Sequence, residues 1–179
     1  IVCLWLPNSV AYFRYGNIDD DTSRYARFGG NEEFRESEEI SVMEFDEIIK
    51  KVLEHEGGYV NDKDDRGGET KYGITKRFYP DLDIKNLTID DAVNIYYEDY
   101  WKPSKASLLP KDLRYPYFDC VVNTGQSRAV KILQQACNNK NTFKIKEDGK
   151  IGAATISACK KLEADRFISY RILFYSLLI

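Results

Sequence analysis

The chain has little of what most metal and redox chemistry requires. In 179 residues it holds a single histidine, His55, and four cysteines, Cys3, Cys120, Cys137 and Cys159. No cysteines stand at CxxC spacing and no histidine cluster accompanies them, which argues against a zinc site or a dithiol redox motif. An even count permits two disulfides. Cys120, Cys137 and Cys159, however, each lie among apolar neighbours in helical-looking segments, the setting of buried free thiols. Neither a metal nor an organic cofactor is expected. Long hydrophobic runs are also missing. No stretch approaches the ~20 apolar residues of a membrane-spanning helix, so stable membrane insertion is not expected. The opening IVCLWL is short, has no basic flank and no small-residue cleavage site, and is not read as a signal peptide.

What is present fits a globular chain: 43% apolar and 31% charged residues, enough length for one core and an appendage. The net charge of −3 hides an asymmetry. Residues 1–101 carry 12 Lys and Arg against 23 Asp and Glu, giving −11, and residues 102–179 carry 14 against 6, giving +8. A basic C-terminal part suits a polyanion such as nucleic acid or an acidic cell wall. No recognition-helix motif accompanies it, so a nucleic-acid partner is not expected.

Residues 1–42 show aromatics without a period, an acidic run and a glycine pair, and fit no helix or strand template. They read either as an extension upstream of Met43, the only methionine, or as an arm packed on the body. From Ser41 the pattern becomes helical. Ser41 and Glu44 fit a capping box, in which hydroxyl and carboxylate each satisfy a free backbone N–H. Phe45, Ile48, Ile49, Val52 and Leu53 follow at helical spacing. Thr88 and Asp91 open a second helix, running to Tyr100-Trp101, with Pro103 and Pro110 punctuating the loop beyond it. YPYFDCVVNTG reads as a short buried segment closed by Gly125. SRAVKILQQAC is amphipathic, and AATISACKKL and ADRFISYRILFYSLLI supply two more helices. In the last, Phe167, Ile168, Ile172, Leu173 and Tyr175 to Ile179 are too apolar for a free tail, so that helix should dock on the body. Strand signals are limited to short pieces near 70–75 and 143–151. The expected fold is mainly α with at most a small β element.

The chemistry concentrates in EHEGGYVNDKDDRGGETKYGIT, residues 55–76. Ile48, Val52 and Glu56 are spaced i, i+4, i+8, so Glu56 falls on the apolar stripe at the last turn of its helix. Desolvation and the helix C-terminus both disfavour its charged form and favour a proton donor near neutral pH. The bland alternative is a glutamate that snorkels to solvent or pairs with lysine. Gly57-Gly58 and Gly67-Gly68 permit tight turns that would bring Asp64, Asp65 and Thr70 back over the helix end. Glycosidic hydrolysis needs such a set: one acid for the leaving oxygen, and a carboxylate or positioned water on the other face of the sugar. An EF-hand loop begun at Asp62 fails, because its twelfth position is Gly73, and no Gly-Lys-Ser/Thr phosphate loop is present. A purely structural Asx-turn loop would use the same residue types.

EGGYVNDKDDRGGETKYGIT resembles the signature of glycoside hydrolase family 108, the phage-type N-acetylmuramidases. AVNIYYEDYW resembles the helix that follows in that family. FDCVVNTGQSRAVKILQQAC and DGKIGAATIS resemble its C-terminal, predicted peptidoglycan-binding part. The resemblance implies a lysozyme-like helical domain with Glu56 as catalytic acid, and with Thr70 and either Asp64 or Asp65 completing a Glu–Asp–Thr triad. The spacing from Glu56 suits Asp65 and the spacing to Thr70 suits Asp64. It further implies a catalytic part over 43–109 and a helical, peptidoglycan-binding part over 110–179 packed into the same globule. The expected partner is the peptidoglycan glycan strand, met by a monomer made in the bacterial cytoplasm and acting on the wall after phage-type release or as a virion component. Tyr59, Tyr72 and Asn123 are candidate sugar contacts, since pyranose faces stack on rings and hydroxyls pair with amides. Tyr96 and Trp101 read as core. A non-catalytic cell-wall-binding or secretion-associated module on the same fold is the alternative, and loss of the acid would mark it. Residues 1–42 match nothing in the family pattern.

Overall fold

The computed structural model describes residues 44–53, 58–61 and 68–178. The first helix, α1, covers described residues 44–53. Phe45, Ile48, Ile49 and Val52 are buried and Leu53 packs against the core, so the apolar stripe forms as its spacing requires. Ser41 of the expected capping box lies outside the described residues. Glu44 forms an ion pair with Arg114, in the helix α4 of Lys111–Thr124.

A small antiparallel sheet follows: β1 at Val60–Asn61, β2 at Glu69–Lys71 and β3 at Ile74–Thr75, in the order β1-β2-β3. Val60 and Thr75 both stand opposite Thr70, and Lys71 faces Ile74. The β2–β3 connection is therefore two residues long. Tyr72 (φ 52°) and Gly73 (φ 74°) both lie in the left-handed region, as the tightest hairpin turns demand. The short strand expected near 70–75 is this hairpin. The one expected near 143–151 does not form, and that segment is a loop.

Thr88 caps the next helix. Its Oγ1 accepts from Asp91 N (3.1 Å), and the Asp91 carboxylate accepts from Thr88 N (3.1 Å), a complete capping box. Helix α2 (Ile89–Ile95) runs into a π-helical segment (Tyr96–Trp101) and then the single turn α3 (Lys102–Ser104). Pro103 thus sits inside the first turn of α3 rather than in a loop. A 3-10 turn at Ala106–Leu108 leads to α4, with Pro110 at its N-cap.

The segment YPYFDCVVNTG proves to be the larger part of α4, a 14-residue helix with Pro116 in its interior. The prolines at 110 and 116 disguised it, but burial of Leu113, Tyr117, Phe118, Cys120, Val121 and Val122 holds the helix through the missing N–H. Gly125 (φ 80°) makes the sharp junction to α5 (Gln126–Lys140). Helices α6 (Ala153–Cys159) and α7 (Ala164–Ser176) complete the chain. Helix α4 packs on α5 and α7, and α5 packs on α6 and α7. Among the described residues the fold is mainly α with one small sheet.

The core is centred where α1, the π-helical segment and α4 meet. Phe45 lies 5.5 Å from Trp101 and 6.0 Å from Phe118 between ring centroids, and Trp101 lies 5.2 Å from Phe118. Tyr96 and Trp101 are both 1% exposed, as their core reading required. Helix α7 docks through Phe167, which is fully buried. Its outer side does not: Ile172 and Leu173 are exposed, as are Leu177 and Leu178 just beyond its end. No described helix is long and apolar enough to cross a membrane.

Candidate functional site

Glu56, Asp64 and Asp65 lie outside the described residues, between α1 and β2. Thr70 is the centre of β2 and half-buried. Its hydroxyl donates to the Gly68 carbonyl over 3.4 Å, a long and weak bond that leaves its lone pairs available. Directly opposed residues share a face of a sheet, so Val60, Thr70 and Thr75 form one row across the three strands. The Thr75 hydroxyl is buried and has no hydrogen-bond partner among the described residues. Among the described residues that leaves two hydroxyls side by side on one face, one weakly engaged and one unengaged.

The hairpin is tied down on both sides. Tyr59, just before β1, donates from its phenol to Glu69 Oε1 (3.0 Å), and desolvation followed by the Glu69 carboxylate pushes its hydroxyl above the usual range. On the other side the buried Tyr96 donates to the carbonyl of Tyr72 (3.0 Å). A left-handed backbone is unfavourable for a bulky residue, so this bond from the π-helical segment holds the turn at its most strained point. The Tyr72 ring is half-buried and carries the Lys71 ammonium 5.4 Å from its centroid. Lys71 also donates to the Lys85 carbonyl (3.1 Å).

Asn123 projects from the last turn of α4. Its amide nitrogen donates to the Asp119 backbone carbonyl (2.7 Å) and to Asp119 Oδ1 (3.2 Å). Asp119 in turn holds Arg171 of α7 at 2.5 Å. The amide N–H groups of Asn123 are therefore committed within the helix, and its carbonyl oxygen is what it can offer a hydroxyl. Nearer the sheet, Tyr79 donates to Asp99 Oδ2 (2.9 Å), and burial pushes the phenols of both Tyr79 and Tyr100 well above their ordinary range. Both stay protonated near neutral pH, which removes them as general bases.

Two features of this region escaped the sequence reading, the residue Thr75 and a hydrogen bond made by Tyr96. Thr75 could have been found, since a two-residue Tyr72-Gly73 turn places it opposite Thr70. The bond from Tyr96 to the turn could not, because it joins residues 24 apart through the core. Elsewhere, a cavity of about 270 Å³ opens beside Gln134, Lys146, Asp148, Lys150, Gly152 and Thr155. Its walls include none of the candidate site residues. Gln134 has all its amide hydrogens engaged there, so the cavity offers no unpaired polar group from that side.

A glycine-rich acidic stretch of sequence followed by a threonine-bearing hairpin, on a helical body, is the arrangement expected of a lysozyme-like glycosidase. The model of the family Glycosyl hydrolase 108 matches residues 49–125, from within α1 to the end of α4, and so takes in every candidate site residue. Among solved structures, SagA of Brucella abortus is 34% identical, with a TM-score of 0.59 over 70% of this chain and 74% of that one. No curated protein matches. The chain belongs to glycosyl hydrolase family 108. Helices α5 to α7 lie beyond the matched residues.

Proposed function

We propose that this protein is an N-acetylmuramidase that cuts the glycan strand of peptidoglycan. The observation that carries the reading is the family match over 49–125, which spans Glu56, Asp64, Asp65 and Thr70 together. In this reading Glu56 protonates the glycosidic oxygen as the bond to the departing sugar breaks. Asp64 or Asp65 stabilises the oxocarbenium-like transition state or takes a proton from the attacking water, and Thr70 holds that water. The hairpin geometry supports the last role: among the described residues the Thr70 hydroxyl is engaged only by a long bond to Gly68, so it can turn to a water. Tyr59, Tyr72 and Asn123 bind sugar, the tyrosines through their rings and Asn123 through its amide oxygen. The basic part from 110 to 179 contributes wall binding, and the enzyme reaches the wall after release from the cell or on a virion.

The test is digestion of purified peptidoglycan, followed by mass spectrometry of the fragments. N-acetylmuramic acid at the new reducing ends is expected. New ends carrying N-acetylglucosamine, or cleavage of peptide bonds with the glycan intact, would overturn the muramidase assignment.

A further inference from the structure

Helices α5 and α6 touch at two points that advance together along both. Gln134 of α5 donates to Thr155 Oγ1 of α6 (3.2 Å), and one turn further on Cys137 Sγ lies 3.5 Å from Cys159 Sγ. Both thiols are free and fully buried, and each is the other's polar partner. Cys120 differs, because its thiol faces Thr124 Oγ1 (3.6 Å) within its own helix.

We propose that Cys137 and Cys159 form an intramolecular disulfide under oxidising conditions, stapling α6 and the preceding loop to α5. A disulfide needs its sulfurs at about 2.05 Å, so the two must close by roughly 1.5 Å, a movement within reach of side-chain rotation and a slight shift of a seven-residue helix. The oxidant is a small-molecule disulfide such as oxidised glutathione. Of the pair, Cys137 is the one that ionises, because the Cys159 thiol can donate a hydrogen bond to its thiolate, while that same contact and burial push Cys159 up. The Cys137 thiolate, exposed when α6 lifts locally, attacks one glutathione sulfur, breaks that S–S bond and releases one glutathione thiolate, which takes up a proton. Cys159 then loses its proton and attacks Cys137 Sγ, displacing the second glutathione. Two protein thiols are oxidised and one glutathione disulfide is reduced to two thiols.

The experiment uses the full chain, held with oxidised glutathione at mildly alkaline pH, then denatured, alkylated without reduction and mapped by peptide mass. The expected result is a linked Cys137–Cys159 peptide, with Cys3 and Cys120 alkylated. The closed loop of about two dozen residues should raise Tm by roughly 5–10 °C, reversed by dithiothreitol. Cys137→Ala and Cys159→Ala should each abolish the linkage and the rise, while Cys120→Ala keeps both. The proposal is overturned if oxidised wild-type protein yields only alkylated Cys137 and Cys159, if either is linked to Cys3 or Cys120 instead, or if Cys137→Ala shows the same rise in Tm.

Discussion

Replacing Gln134 by leucine tests whether a single buried amide holds the C-terminal loop in place. Gln134 is 1% exposed on α5. Its amide nitrogen serves Asp148 Oδ1 (3.0 Å), the Lys150 carbonyl (3.2 Å) and Thr155 Oγ1 (3.2 Å), and its oxygen accepts from Gly149 N (3.0 Å). Three hydrogens thus join one side chain to the loop and to α6. At about 1 kcal/mol net for each, with a further cost for groups left unpaired, Gln134→Leu should lose roughly 2–4 kcal/mol. For a chain of this size that corresponds to a fall in Tm of roughly 5–15 °C. The loop has little freedom to repack, since Gly149 (φ 73°) passes so close to Ser127 that an added Cβ would lie 2.6 Å from its Oγ. The effect also carries a pH signature. The hydrogen bond from Gln134, and then that from Lys150 N, hold the Asp148 carboxyl below its usual range. A depressed carboxylate contributes stability above its unfolded pKa and loses it as pH falls through its folded value. The difference between wild type and Gln134→Leu should therefore be largest near neutral pH and narrow below about pH 4. Urea denaturation at pH 7 and pH 3.5 measures it. A difference under about 0.5 kcal/mol at pH 7, within the range of ordinary surface substitutions, would refute the reasoning.

Glu56→Gln should lower lysis of permeabilised cells by about 10²–10⁴-fold with the circular dichroism spectrum unchanged, and near-normal lysis would remove Glu56 from the acid role. Of Asp64→Asn and Asp65→Asn, one should cost far more activity than the other in the same assay, with Asp65 the expected one; equal mild losses would make the loop structural. Thr75→Val replaces a buried hydroxyl, unpartnered among the described residues, with a methyl group and should stabilise the fold by about 1 kcal/mol in urea denaturation, and a loss of stability would show that the hydroxyl is satisfied in solution.

Local signals that need few contacts were read correctly from the chain. The stripe of Phe45, Ile48, Ile49 and Val52 and the Thr88–Asp91 box each depend only on neighbours within two turns, and both are in place. Where tertiary packing overrides local preference, the reading failed. Pro116 marks a break by propensity, but six buried side chains of α4 outweigh one missing hydrogen bond. Segment 143–151 alternates enough to suggest a strand, yet its backbone groups are met by side chains of α5: Gln134 takes Gly149 N, and Asn138 takes Ile145 N (2.8 Å). A strand there would have needed a partner edge. Helix α7 does dock on the body, as its apolar content requires, but a helix buries only the side that meets a neighbour: Phe167 is buried and Ala164, Tyr170 and Phe174 pack against the core, while Ile172 and Leu173 stay exposed.

The candidate site was legible to a different depth at each residue. Acids, glycine pairs and a lone threonine between a helix and a turn are visible in composition and spacing, which is why Glu56, Asp64, Asp65 and Thr70 could be named. What the chain could not display is how the hairpin is held. Tyr72 was read as a sugar contact and Tyr96 as core, two separate assignments. The structure joins them, since Tyr96 is core by its ring and a tether by its hydroxyl, gripping the carbonyl of Tyr72 (3.0 Å) where the backbone is left-handed. A buried phenol must find an acceptor, and a strained carbonyl at a turn has no ladder partner of its own, so each satisfies the other. The π-helical turn at Tyr96–Trp101 belongs to the same arrangement. It sets one aromatic residue toward the hairpin while Trp101 stays against Phe45 and Phe118 of the core. Thr70 is thus tied to the aromatic core by one turn and one hydrogen bond, and the register that places it opposite Thr75 depends on both.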